Sequence, residues 1–107
     1  MDISKDSKKL LFLIYKSYLK KREDGMSRSN AISFGTSEDI YHDIMPESSA
    51  DDVNSLLYEL KDAGYIQGSD YDNKLCICKL TNKAIVTLEN YPKETFVSIA
   101  SFLANFI

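Results

Sequence analysis

His42 is the single histidine of the chain, with Asp39 three residues before it and Asp43 beside it. An imidazole next to carboxylates is the beginning of a general base, but a catalytic pair also needs a nucleophile held at a set geometry. No serine or cysteine stands at such a spacing here. His42 is therefore expected on the surface of a short helix. Cys76 and Cys78 are the other reactive side chains, and with His42 they supply three ligands where a structural zinc site wants four with CxxC-like spacing. Two positions apart on a strand they share a face, and chain geometry disfavours a disulfide between them. Packed, reduced strand cysteines are expected, with no metal and no cofactor. The glycines at 25, 35, 64 and 68 are scattered and build no phosphate-cradling loop. The chain reads as one that binds and not as an enzyme.

Binding chemistry concentrates between Ser48 and Leu80. Val53, Leu56, Leu57 and Leu60 recur at helical spacing behind Ser48 and Ser49, each of which has an aspartate three residues later in the manner of a capping box. Gly64 closes that helix. Tyr65 and Ile66 open a strand, Gly68 to Asn73 is rich in turn residues, and Leu75 to Leu80 is a second strand. The outward line of the helix over 49–63 is Asp51, Ser55, Tyr58 and Asp62, flanked by Asn54 and Glu59. Tyr71, Asn73 and Lys74 extend the surface onto the ribbon.

Charge is unevenly spread behind a net value of -3. Residues 1–28 hold eight Lys or Arg against four acids, residues 29–72 one Lys against ten acids, and residues 73–107 four Lys against two acids. The acidic block coincides with the outward helix, the wrong sign for neutralising phosphate. The same face suits a basic protein surface, and Tyr41, Tyr58, Tyr65 and Tyr71 near it are of a type that protein interfaces favour.

The remaining segments position this surface. Lys5 to Arg22 is a helix whose apolar arc holds Leu10, Leu11, Phe12, Ile14, Tyr15, Tyr18 and Leu19, wide enough to touch two neighbours, with Lys5, Lys9, Lys16 and Lys20 as a basic stripe. Met26 to Gly35 reads as a loop with a short strand able to pair with the ribbon. Thr36 or Ser37 caps a helix over Ser37 to Ile44, which Pro46 ends. Thr81 caps a helix running to about Tyr91. These segments make a first domain over 1–91. Residues 92–107 are expected to form an apolar helix, since no charge occurs from Phe96 onward; it packs on the first helix, on a partner copy, or on both. Phe96, Ile99, Phe102, Leu103 and Phe106 are the candidate seam of a homodimer. No run approaches the ~20 apolar residues of a membrane span. No signal pattern precedes the first helix, so a cytoplasmic location is expected.

The stretch from Val53 to Tyr91 looks like the winged helices of the MarR-like kind, and the chain more broadly resembles the small YjcQ-type winged-helix proteins of Gram-positive bacteria and their phages. The residues that carry it are LYELKDAGYI over 57–66, the polar tip, and KLTNKAI over 79–85. The resemblance implies an α+β fold, a winged helix-turn-helix with an additional C-terminal helix. It also implies a small transcriptional regulator of phage or mobile-element kind that binds double-stranded DNA as a homodimer. The helix over 49–63 would enter the major groove, with Asn54 on an adenine edge, Ser55 on either groove edge and Tyr58 on a phosphate, and the wing, Gly68 to Lys74, would touch backbone or minor groove. The alternative drawn from charge is a protein-interaction module that uses the acidic helix face without binding DNA.

Overall fold

A computed structural model describes residues 2–91 as an α+β fold, five helices and a three-stranded antiparallel sheet. The apolar segment over 92–107, with the dimer seam placed on Phe96, Ile99, Phe102, Leu103 and Phe106, lies outside the described residues. No helix among the described residues is long and apolar enough to cross a membrane.

Helix α1 spans Lys5–Glu23 and is started by Ser4, whose side chain accepts from the Ser7 amide. Leu10, Leu11, Phe12, Ile14, Tyr15 and Tyr18 are all buried, as a wide apolar arc requires. Leu19 departs from that arc at 43% exposure. It lies about two turns beyond Phe12, whose ring meets Tyr91 edge-on at 5.5 Å. The segment over 26–35 is more ordered than a loop: Ser27 caps a one-turn helix α2, Arg28–Ala31, ahead of strand β1, Ser33–Gly35.

Helix α3, Ser37–Ile44, begins in a capping box in which Thr36 and Asp39 satisfy each other's backbone amides. Helix α4, Ala50–Asp62, is capped by Ser49 and buries Val53, Leu57 and Leu60, with Leu56 half-buried. Each of those fully buried side chains contributes about 1.5–3 kcal/mol of transfer free energy. At its far end Gly64 adopts φ +87°, and the Gly64 and Tyr65 amides donate to Lys61 and Leu60, the pairing of a Schellman stop. The Lys83 ammonium adds a 2.6 Å bond to the Ala63 carbonyl, a cation where the helix dipole is negative. A second tie joins α4 to α1. The Glu59 carboxylate accepts from the Ser4 amide at 2.7 Å and its hydroxyl at 3.1 Å, and these bonds hold its pKa below the usual glutamate value.

Strands β2, Ile66–Tyr71, and β3, Lys74–Leu80, form the ribbon, and β1 pairs with the other side of β3, giving the order β1-β3-β2. The ribbon corrects two expectations. The tip is not the whole of Gly68 to Asn73: β2 continues through Tyr71, and only Asp72 and Asn73 turn, at φ 53° and 63°. Two successive positive φ values mark a type I′ turn, whose twist suits a tight hairpin. Cys76 and Cys78 do not share a face either. Gln67 pairs with Lys79 and Ser69 with Cys76, so Gly68 alone opposes Ile77 and Cys78, a β-bulge that resets the alternation. Cys78 is buried and Cys76 half-buried; both are free thiols. Gly68 fits because a Cβ there would stand 2.8 Å from the Leu75 side chain.

The bulge forces Ile77 to φ 55° while leaving it 63% exposed. A β-branched residue in the left-handed region costs about 1–2 kcal/mol, and here little burial offsets it. Helix α5, Asn82–Glu89, capped by Thr81, closes the core with Ala84, Ile85 and Leu88. Ile77→Gly is expected to raise unfolding free energy by about 1 kcal/mol in urea denaturation, the reverse of the usual glycine effect in a strand.

Candidate functional site on helix α4 and the ribbon

The surface singled out in the sequence is present, but its side chains are differently engaged. Asp51, Ser55 and Asp62 stand exposed along α4. Asn54 and Tyr58 lean instead toward the ribbon. The Asn54 amide nitrogen donates to the Asn73 carbonyl at 2.9 Å, and its carbonyl oxygen accepts from the Leu75 amide at 3.0 Å. One side chain thus completes two backbone partnerships on either side of Lys74, as a further strand would. One turn along α4, the Tyr58 hydroxyl donates to the Asp70 carboxylate at 2.5 Å. That bond to a carboxylate pushes the Tyr58 pKa up to about 12. The two contacts bolt the ribbon to the helix, so neither side chain is open to a base edge without breaking them.

Lys74, the cation of the expected wing, is also engaged. Its ammonium meets the Glu38 carboxylate at 2.6 Å, with both side chains about half exposed (54% and 55%). This bond lowers the Glu38 pKa and raises that of Lys74. It is the one ion pair among the described residues. An exposed pair of this kind contributes little to stability. Its larger effect is to lean the tip toward the start of α3. Tyr71, 75% exposed, and Asn73, also exposed, complete the tip. What the surface offers to a partner is therefore dominated by carboxylates: Asp51, Asp52 and Asp62 on α4, Asp72 at the tip and Glu47 before α4 are all exposed, while Asp70 is held by Tyr58.

Three engagements escaped the sequence reading, that of Tyr58 with Asp70 among them. The Asn54 clamp had no local signal, because an asparagine on a helix face looks the same whether it meets solvent or a backbone. The Glu38 partner of Lys74 lies 36 residues away in the chain. His42 is exposed on α3, its ring tilted against Tyr41 at 4.9 Å. The Cys78 thiol has its pKa pushed up to about 11 by burial, which keeps it protonated and poorly nucleophilic. Among the described residues no group of three or more His, Cys, Asp or Glu side chains is placed to hold a metal ion.

No family model, curated protein or solved structure matches this chain. Asn54→Ala removes both ribbon bonds and leaves the Leu75 amide without its acceptor. The expected cost is about 1–3 kcal/mol in urea unfolding, whereas Ser55→Ala on the open side of the same helix is expected to stay within about 0.5 kcal/mol.

Proposed function

We propose that this chain is a protein-docking module of winged-helix type, which presents the acidic face of α4 and the ribbon to a basic protein surface. One observation carries the reading: Asn54, Tyr58 and Lys74, the side chains best suited to bases and phosphates, are tied to internal partners, while the exposed groups around them are carboxylates. Phosphate neutralisation supplies most of the sequence-independent affinity of a DNA reader, and this face would oppose it. A basic protein surface meets the same carboxylates favourably, and the field they share steers its approach.

The winged-helix layout rests on the order of elements. Two helices, α3 and α4, are joined by a short connection, and α4 is followed at once by an antiparallel ribbon with a tight tip. That order is also the observation that favours the second reading, a DNA-binding regulator with α4 toward the major groove, in which Ser55, Tyr71 and Asn73 are the exposed uncharged polar contacts. Under either reading, homodimerisation through residues 92–107 remains part of the proposal.

The two readings separate in one titration. The full chain is expected to bind a fluorescent oligo-arginine peptide at about 50 mM salt and to lose affinity toward about 200 mM, with no binding to a mixed-sequence DNA duplex at either concentration. Duplex binding with a steep salt dependence, in the absence of peptide binding, would overturn the docking reading in favour of the regulator.

A further inference from the structure

Beside the N-terminal half of α4, a groove of about 400 Å³ lies between the first turns of α1 and the connection from α3 to α4. The apolar part of its floor is made by buried Met45 and half-buried Leu56, with half-buried Ser48 beside them. Its rim carries Asp6 from α1, Glu47 from the connection and Asp52 from the first turn of α4, all exposed, with Lys9 on the α1 wall. None of the three carboxylates has an ion-pair partner among the described residues. The lining keeps an excess of two negative charges over an apolar base.

We propose that this groove receives an arginine side chain from a basic protein segment. The proposal rests on the docking reading and supplies its anchor. Arginine is amphipathic along its length: the methylene stem lies on apolar surface while the head stays among polar groups. Met45 and Leu56 match the stem, and the rim matches the head. The guanidinium presents five donors in a planar fork, is less strongly hydrated than an ammonium, and bonds carboxylates from more than one direction. Carboxylates held on three separate elements suit that fork better than a point charge. A bare metal ion is a poorer fit, since no ligand group among the described residues is drawn together tightly enough to coordinate one. Nucleic acid is excluded by the sign of the rim.

The groove differs from the rest of the acidic face in having an apolar floor, and that difference makes the proposal testable. Two variants of the full chain remove the same charge from different places. One is Asp6→Asn with Glu47→Gln and Asp52→Asn; the other is Asp51→Asn with Asp62→Asn and Asp72→Asn. Titrated with fluorescent nona-arginine, the groove variant is expected to bind at least about tenfold more weakly than the other, as loss of charge-assisted hydrogen bonds implies. Equal weakening in both would overturn the groove while leaving the acidic face as a docking surface. Failure of the unaltered chain to bind nona-arginine would overturn the docking reading and the groove with it. Because the variants also change the first turns of two helices, the unaltered protein provides a second measurement. Addition of N-acetyl-arginine amide is expected to shift the backbone amide resonances of Met45, Ser48 and Leu56. Shifts confined to residues outside the groove would contradict the assignment.

Discussion

The pair of hydrogen bonds between the Asn54 side chain and the ribbon backbone, one donated to the Asn73 carbonyl and one accepted from the Leu75 amide, holds this surface in shape. A hairpin of two strands is marginal in water and needs a neighbour to hold it. Here β1 covers one side of β3, and α4 holds the ribbon through Asn54 near the tip and Tyr58 further in. Leu75 and Ile66, buried beneath, contribute the apolar share of the same contact. Helix and ribbon therefore behave as one body, and the groups that make the bolt are withdrawn from any partner.

Electrostatics then decide the character of what is left. Basic residues are most numerous on α1, while exposed acids crowd α3, α4, the ribbon and the α3 to α4 connection. Some charges settle the fold. Glu59 sits at the positive end of α1, Lys83 at the negative end of α4, and Lys74 holds the tip to Glu38. The carboxylates outside those ties face solvent, where their mutual repulsion is relieved by a cationic partner.

Much of the fold was legible because local chemistry agreed with it. Ser49, Thr36 and Thr81 cap the helices where expected, and Gly64 ends α4 as its position implied. The bounds of α3 follow from its cap and Pro46. The errors have distinct physical origins. The Asp72–Asn73 turn lacks the glycine that usually flags a type I′ hairpin, so the sequence marks a longer tip than the two residues that turn. The bulge at Ile77 breaks the two-residue period on which the shared cysteine face depended, and no strand pattern announces it. At the site, exposure of Asp51, Ser55 and Asp62 followed from helical periodicity alone. The engagement of Asn54, Tyr58 and Lys74 did not, because it depends on where the ribbon folds back, which is a property of tertiary packing.

Amide hydrogen exchange at Leu75 reports on the helix-to-ribbon bolt itself, since that N–H points at the Asn54 side chain rather than at a neighbouring strand. If the ribbon is bolted to α4, the Leu75 amide exchanges as slowly as the core amides of Leu57 and Leu60. Exchange as fast as that of the exposed turn at Asp72 and Asn73 would show a free wing, returning Asn54 to the surface and contradicting the account.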